Sequence, residues 1–248
     1  MRSIVSCRGL SKRFANGTLA LENASLEVRE NEFLSLLGPS GCGKSTLLRL
    51  IAGLAEPSSG TIAWEEGRAG LSFVFQEPTL MPWATALANV ILPLKLAHVA
   101  RGESEARAAA ALASVGLAGF ENAYPRELSG GMKMRVSIAR ALVTKPTVLL
   151  MDQPFAALDE ITRFKLNNDL LELWQRDKFT AVFVTHSVFE SVFLSQRIAV
   201  MTARPGHVQT DIAVTAPYPR DAHYRTSPLY NEHCRTVSAA LEGAMAHA

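Results

Sequence analysis

The run Gly38-Pro39-Ser40-Gly41-Cys42-Gly43-Lys44-Ser45-Thr46 fits the pattern G-x-x-x-x-G-K-[ST]. Glycines, lacking Cβ, let a chain bend tightly and turn successive N–H groups toward one point. Lys44 adds a full positive charge for phosphate oxygens, and the Ser45 hydroxyl is a ligand of the kind Mg²⁺ takes. The flanking segments support the reading. Phe33 to Leu37 is an apolar run of strand length. From Ser45 to Leu54 the spacing of Leu47, Leu48, Leu50, Ile51 and Leu54 predicts a helix with a core face. The glycines then sit at a strand-to-helix turn, where the helix N-terminus adds partial positive charge. An ordinary glycine turn would not carry the full pattern in that setting.

A second cluster of the same kind follows. Leu128-Ser129-Gly130-Gly131-Met132 precedes a predicted helix from Met132 to Leu142, so Ser129 and the glycines offer another N-terminal anion site. About twenty residues on, Val148-Leu149-Leu150-Met151-Asp152 reads as a buried strand with an acidic end, followed by Gln153. A phosphate-cleaving site calls for a carboxylate at that last position to polarise water; this chain has a carboxamide.

In this arrangement the chain resembles the nucleotide-binding subunit of an ATP-binding cassette (ABC) transporter. The likeness runs from about Cys7 to about Arg204, and Leu-Ser-Gly-Gly at Leu128 to Gly131 is what marks that family among phosphate-loop ATPases. It implies an α/β fold with a phosphate-loop NTPase (RecA-like) core, an antiparallel β subdomain and a helical subdomain, with ATP and Mg²⁺ as cofactors. It also implies two subunits paired head to tail, Ser129, Gly130 and Gly131 of one closing on the γ-phosphate held by the loop of the other. Phe14 resembles the aromatic that stacks on adenine, as a flat π-face suits a purine, although aromatics are more usually buried for packing. Gln76, in Phe73-Val74-Phe75-Gln76-Glu77-Pro78, matches the glutamine that contacts Mg²⁺ and water and senses the membrane partner. Asp152 corresponds to the Mg²⁺ carboxylate, acting directly or through water. Ala156-Ala157-Leu158-Asp159 resembles the loop that crosses the dimer interface, and His186, after the apolar run Ala181 to Thr185, matches the switch histidine. The other histidines, His98, His207, His223, His233 and His247, are expected on the surface.

Gln153 departs from the family, which usually has glutamate there. Glutamate can accept a proton or orient attacking water; glutamine cannot act as a carboxylate base. Either the site is naturally degenerate, or a glutamate was replaced so that ATP is trapped. Degenerate sites usually carry several lesions, and Lys44, Gln76, Ser129, Asp152 and His186 all remain, which favours the second. The expectation is ATP binding with strongly reduced hydrolysis.

Composition agrees. A chain of 248 residues can form one large α/β domain. A net charge of +2 with mixed signs gives no electrostatic case for nucleic acid. Cys7, Cys42 and Cys234 have neither metal-ligand spacing nor a disulfide framework; Cys42 reads as a small loop residue. No stretch reaches the roughly 20 apolar residues that span a bilayer and no signal peptide is evident. The resemblance then implies a peripheral location on the cytoplasmic face of a bacterial inner membrane.

The ATPase domain is expected over 1–215, with a short tail over 216–248, expected to be helical from Leu229 onward. Antiparallel strands are expected between Glu27 and Phe75, and a helical subdomain over about 85–131. Within the latter Glu103 to Val115 is its clearest helix, stopped by Gly116. A further helix is predicted from Ile161 to Trp174, with Leu166, Leu170, Leu171 and Trp174 as a core stripe. Glu77-Pro78-Thr79-Leu80-Met81-Pro82-Trp83, the Met151 to Asp159 run and Met132 resemble the nitrate/sulfonate/taurine importers. That likeness implies integral membrane permease subunits, docked on the loop from Gln76 to Trp83, and indirectly a substrate-binding protein. A soluble ATP-gated clamp is the alternative, although such proteins tend to carry tandem cassettes, coiled coils or basic insertions. An inert ATP-binding scaffold is a third reading.

Overall fold

The structure, a computed structural model, describes residues 2–65, 67 and 70–246. In chain order the strands are β1 (Ser3–Arg13), β2 (Leu19–Arg29), β3 (Phe33–Leu37), β4 (Ser59–Trp64), β5 (Leu71–Val74), β6 (Val148–Asp152), β7 (Thr180–Thr185), β8 (Arg197–Met201) and β9 (Val208–Ala213). The helices are α1 (Lys44–Ala52), α2 (Ala86–Leu96), α3 (Arg101–Ser114), α4 (Gly130–Leu142), α5 (Glu160–Asp177), α6 (Val188–Leu194), α7 (Ala222–Thr226) and α8 (Pro228–Ala246). They belong to two compact units, one of residues 1–69 with 178–248, the other of residues 70–177.

In the first unit β3, β7 and β8 are buried along their whole length. Runs such as Phe-Leu-Ser-Leu-Leu and Ala-Val-Phe-Val have no polar alternation because helices cover both faces of a parallel sheet. β7 and β8 flank β3 in parallel register, Leu37 lying opposite Thr185 and Val200, and β9 closes the edge antiparallel to β8. A separate antiparallel sheet has the order β2-β1-β4. These antiparallel strands begin earlier than the expected Glu27 to Phe75. β1 and most of β2 precede Glu27, whereas β5 pairs in parallel with β6.

α1 ends sooner than its apolar spacing predicts. Gly53 takes a left-handed φ of 72° and turns its N–H back to Leu50, the usual glycine stop. Leu47, Leu48, Leu50 and Ile51 are buried as expected, but Leu54 falls beyond the stop and is 58% exposed. Residues 216–246 pack back on this unit. Arg220 donates to the carbonyls of Val192, Phe193 and Ser195 at 2.9, 3.0 and 2.8 Å, closing the C-terminal end of α6. α8 lies against α6 and β8.

In the second unit β5 and β6 form a parallel pair, α4 packs on β5, and α2, α3 and α4 pack on one another. α3 starts two residues before the expected Glu103, and Gly116 has φ 73° just past its end. α5 buries Leu166, Leu170, Leu171 and Trp174 on one stripe, whereas Ile161, at its start, is 82% exposed. Among the described residues no helix is long and apolar enough to cross a membrane.

A buried ion pair ties the first unit together. Arg197 on β8 binds both carboxylate oxygens of Glu32 at 2.7 and 3.1 Å, meets Asp211 on β9 at 3.0 Å, and reaches the Glu27 carbonyl. Both Arg197 and Glu32 are buried. Glu32→Ala would leave that guanidinium without its bidentate partner and is expected to destabilise the chain by about 3 kcal/mol. Glu65→Ala, which removes the exposed pair with Arg2, should cost under about 1 kcal/mol. Urea unfolding of the two variants checks this; equal losses would contradict it.

Candidate functional site

In the first unit the phosphate loop leaves β3 after Leu37 and enters α1 at Lys44. Gly41 and Gly43 have φ of 75° and 104°, which L side chains rarely adopt. A Cβ on Gly43 would also fall 2.7 Å from the Leu21 side chain. The bend therefore depends on glycine both for its angles and for its close approach to β2. Lys44 is buried, and its Nζ donates to the carbonyls of Gly38 and Pro39 at 2.6 and 2.8 Å, with Cys42 Sγ at 3.6 Å. Cys42 is buried as a small loop residue, as expected, and the three cysteines are free. Burial pushes the Cys7 thiol up to about 12.

α1 has no side-chain cap and no acidic residue in its first turn. Its N-terminus thus presents backbone donors and partial positive charge, with no acid in its own first turn, beside the buried Lys44 ammonium. That donor set fits the phosphates of a nucleotide. Ser45, half-buried at the second helical position, is a hydroxyl of the type Mg²⁺ takes.

His186 leaves the neighbouring strand at the same edge. Leu37 and Thr185 are partners in the β3–β7 ladder, so Gly38 and His186 are the next residues of two adjacent parallel strands. Ligands of open parallel sheets bind at that carboxyl edge. The residues bracketing His186 are fixed: Thr185 Oγ1 accepts from Ser187 N at 3.0 Å and donates to the buried Glu190 carboxylate at 2.5 Å. Ser187 caps α6. His186 itself is exposed. Phe14 stands in the turn between β1 and β2, 44% exposed, with Lys12 Nζ 5.7 Å from its ring centroid. It is therefore not a core aromatic.

The second unit repeats the arrangement. Val74 pairs with Met151 in the parallel β5–β6 ladder, so Gln76, Asp152 and Gln153 gather at one strand edge. Asp152 is buried and Gln76 exposed. Gln153 has φ 47°, and its carbonyl accepts from Ala156 N at 3.2 Å, turning the chain toward Asp159. Asp159 caps α5 by accepting from Thr162 N at 2.9 Å, and hydrogen bonds from the Thr162 side chain and then its backbone hold the Asp159 carboxyl below the usual range. Ser129 caps α4, its Oγ accepting from Met132 N at 3.2 Å, and α4 too has no acid in its first turn. Ser129 and Gly130 are exposed, and Gly131 packs so closely that a Cβ would sit 2.8 Å from Thr162. A cavity of about 760 Å³ opens beside Ser129, Met132, Arg135 and Ile161.

Among the remaining histidines, His98, His207 and His223 are exposed as expected. His233 is half-buried, with its ring nitrogens 3.3 Å from Thr215 N and 2.8 Å from the Leu229 carbonyl; it holds the tail, a correction to its surface assignment. His207 is bonded to Thr202, and His247 lies outside the described residues.

Two residues that sequence reasoning passed over shape the loop after β5. Arg140 on α4 donates to the carbonyls of Pro78 and Thr79 at 2.9 Å each, and Thr79 has φ 48°. Asn89, fully buried, accepts from Met81 N at 2.8 Å and donates to Met81, Ala84 and Thr85 carbonyls. Trp83 is 77% exposed, but Leu80 and Met81 are half-buried, less open than expected. A lone arginine and a lone asparagine on helices read as surface and core polar residues, so only the three-dimensional contacts reveal them.

The family model described as ABC transporter matches residues 21–156. The chain is 46% identical to an uncharacterized ABC transporter ATP-binding protein of Methanocaldococcus jannaschii, covering 98% of this chain and 92% of that one. It is 42% identical to the nitrate import ATP-binding protein NrtD of Synechocystis, over 91% of this chain and 89% of that one. It is also 43% identical to the aliphatic sulfonates import ATP-binding protein SsuB of Bacillus licheniformis, over 91% and 89%. Among solved structures, a dimeric post-hydrolysis state of the ATP-binding cassette MJ0796 bound to ADP and Pi is similar, with TM-score 0.77 and 34% identity, over 86% of this chain and 100% of that one.

If Arg140 sets the path of the loop, Arg140→Ala should speed amide exchange at Met81 by about tenfold, the scale of losing a charged hydrogen bond. Hydrogen exchange resolved to residues 76–83 checks it, and unchanged protection would contradict it.

Proposed function

The chain belongs to the ABC transporter family, and from that premise we propose that it is the ATP-binding motor subunit of a bacterial importer for a small organic or inorganic solute. The observation that carries the proposal is the loop between β3 and α1, where the positive φ of Gly41 and Gly43 brings the uncapped N-terminus of α1 beside the buried Lys44 ammonium. The importer assignment is supported by the nitrate and sulfonate import proteins among the relatives. The residues that would hold the triphosphate are Gly38, Pro39, Ser40, Gly41, Cys42, Gly43, Lys44, Ser45 and Thr46, with Phe14 against the base. Ser45, Gln76 and Asp152 are the proposed Mg²⁺ ligands, and the ion would supply charge neutralisation at the phosphates. A second copy would contribute Ser129, Gly130 and Gly131, in a head-to-tail dimer. Permease subunits would dock on Gln76 to Trp83, a substrate-binding protein would act through them, and the chain would sit peripherally on the cytoplasmic membrane face. One ATPase domain over 1–215, its helical part over about 85–131, followed by the tail is the proposed organisation.

Gln153 sets the rate in this reading. Its amide can orient water but cannot take its proton. His186 and Gln76 are proposed to help place that water. With a carboxamide at the position that wants a carboxylate, one negative charge beside the γ-phosphate is also missing, which favours the ATP-loaded state. An inert ATP-binding scaffold is the second reading, and Gln153 is the residue that favours it.

Gln153→Glu separates the two. Residue 153 keeps a Cβ and its left-handed backbone in both forms, so the change isolates the carboxylate. Phosphate release is expected to be near background in the present chain and to rise about 10²–10⁴-fold in the variant, with ATP affinity little changed or slightly weaker. Equal, brisk release from both would remove position 153 from the chemistry. Binding without release from either would favour the scaffold.

A further inference from the structure

We propose that the turn Arg204-Pro205-Gly206, between β8 and β9, is a brace that positions the phosphate loop. Arg204 acts through the Gly41 carbonyl and Gly206 through Cys42. The consequence for nucleotide affinity rests on the ATP-binding reading above; the effect on the loop does not.

The contacts converge on the three residues that make the bend. Arg204 donates from Nε and Nη2 to the single carbonyl of Gly41, at 3.1 and 2.9 Å. Gly206 lies so close behind Cys42 that an added Cβ would stand 1.8 Å from the Cys42 carbonyl oxygen. Gly206 is in turn fastened to β2: its N–H donates to Ala20 at 3.0 Å and its carbonyl accepts from Glu22 N at 3.1 Å. The same stretch of β2 approaches Gly43, whose Cβ would fall 2.8 Å from the Ala20 carbonyl. Across the base of the turn, Thr202 N donates to the His207 carbonyl at 3.0 Å and His207 N to Thr202 Oγ1 at 3.1 Å. Gly41, Cys42 and Gly43 are thus held by groups from β2 and from the β8–β9 turn, none of them part of the loop's own motif.

The physical need is clear. A loop that turns its N–H groups toward an anion must place carbonyls elsewhere, and each of those needs a donor. Lys44 serves the carbonyls of Gly38 and Pro39 in this structure, yet its ammonium is also the group a phosphate would compete for. Arg204 serves the next exposed carbonyl with a donor that carries no such second duty. A loop fixed beforehand loses less conformational freedom on binding, and that difference appears as affinity. Arg204 is a positioning residue, since its guanidinium is engaged by backbone and not by a reacting group.

The test compares the unaltered full chain with Arg204→Ala and Arg204→Lys. Hydrogen exchange of residues 38–46 is followed without nucleotide, together with the nucleotide-free thermal midpoint and Mg-ATP affinity read with a fluorescent ATP analogue. Arg204→Ala is expected to speed exchange in the loop by about tenfold and to weaken ATP by a similar factor. Arg204→Lys, which keeps a charged donor, should restore most of both, and the midpoint should stay within about two degrees. Unchanged loop exchange would overturn the brace, including the case in which ATP affinity alone falls, because Arg204 would then be a direct phosphate ligand. Faster exchange spread over β8, β9 and α1 with a lowered midpoint would also overturn it, as general destabilisation. The exchange arm needs no nucleotide, so a chain that failed to bind ATP would contradict the ATP-binding reading while the brace was still decided.

Discussion

Parallel strands in register must release their chains at the same edge, and the chemistry of this protein depends on that constraint. Leu37 and Thr185 are ladder partners, so the loop after β3 and His186 after β7 begin side by side. Val74 and Met151 are partners in the other unit, which brings Gln76, Asp152 and Gln153 to one edge of their own. A register slip of one residue would reverse the facing of every side chain in the strand. In β3, β6 and β7, buried on both faces, such a slip is opposed by the side chains' close packing, since swapping the faces would overpack one and leave voids in the other. The apolar core thereby fixes where His186, Gln76, Asp152 and Gln153 stand.

The electrostatics of the edges follow from what is missing there. α1 and α4 both start without an acidic residue in the first turn, although such residues ordinarily stabilise a helix N-terminus. α3, α5 and α6 each carry glutamate in theirs, whereas α2, α7 and α8, like α1 and α4, do not, so it is the glycine bend and the buried Lys44 that set α1 apart. Lys44 stays buried by lending its ammonium to its own loop's carbonyls. An anion that draws Lys44 away releases those carbonyls, so the contacts of Gly41 to Gly43 with Arg204, Gly206 and β2 gain weight when the loop is loaded. Position 153 differs in kind: its left-handed backbone can be built from glutamine or glutamate alike, so the geometry leaves the side-chain charge unconstrained.

Much of this was legible in the sequence, for identifiable reasons. β3 and β6 fall on the residues read as strands, because uninterrupted apolar runs between turn residues have few other uses. The helix cores of α1 and α5 follow from spacing, yet Leu54 does not, since Gly53 stops the helix before a periodic residue that pattern alone would include. The antiparallel sheet was placed too late, because β1 carries polar residues through its length, with Ser3, Ser6, Arg8, Ser11 and Lys12 diluting the alternation. Phe14 needed the structure to separate an exposed face from a core ring. The roles of Arg140, Arg204 and Gly206 rest on contacts to backbone dozens of residues away, and that of Asn89 on bonds to a loop four to eight residues before it; no local pattern encodes those.

The pairing of two chains across shared nucleotide is tested most directly by sedimentation velocity of the full chain with and without Mg-ATP, beside Ser129→Arg. The unaltered chain is expected to sediment as a monomer alone and as a dimer with one ATP per chain. Ser129→Arg should bind ATP through its own phosphate loop and remain monomeric, because a long cation replaces the cap of α4. A Ser129→Arg chain that dimerises as well as the unaltered one, or an unaltered chain that binds ATP and never dimerises, would contradict it.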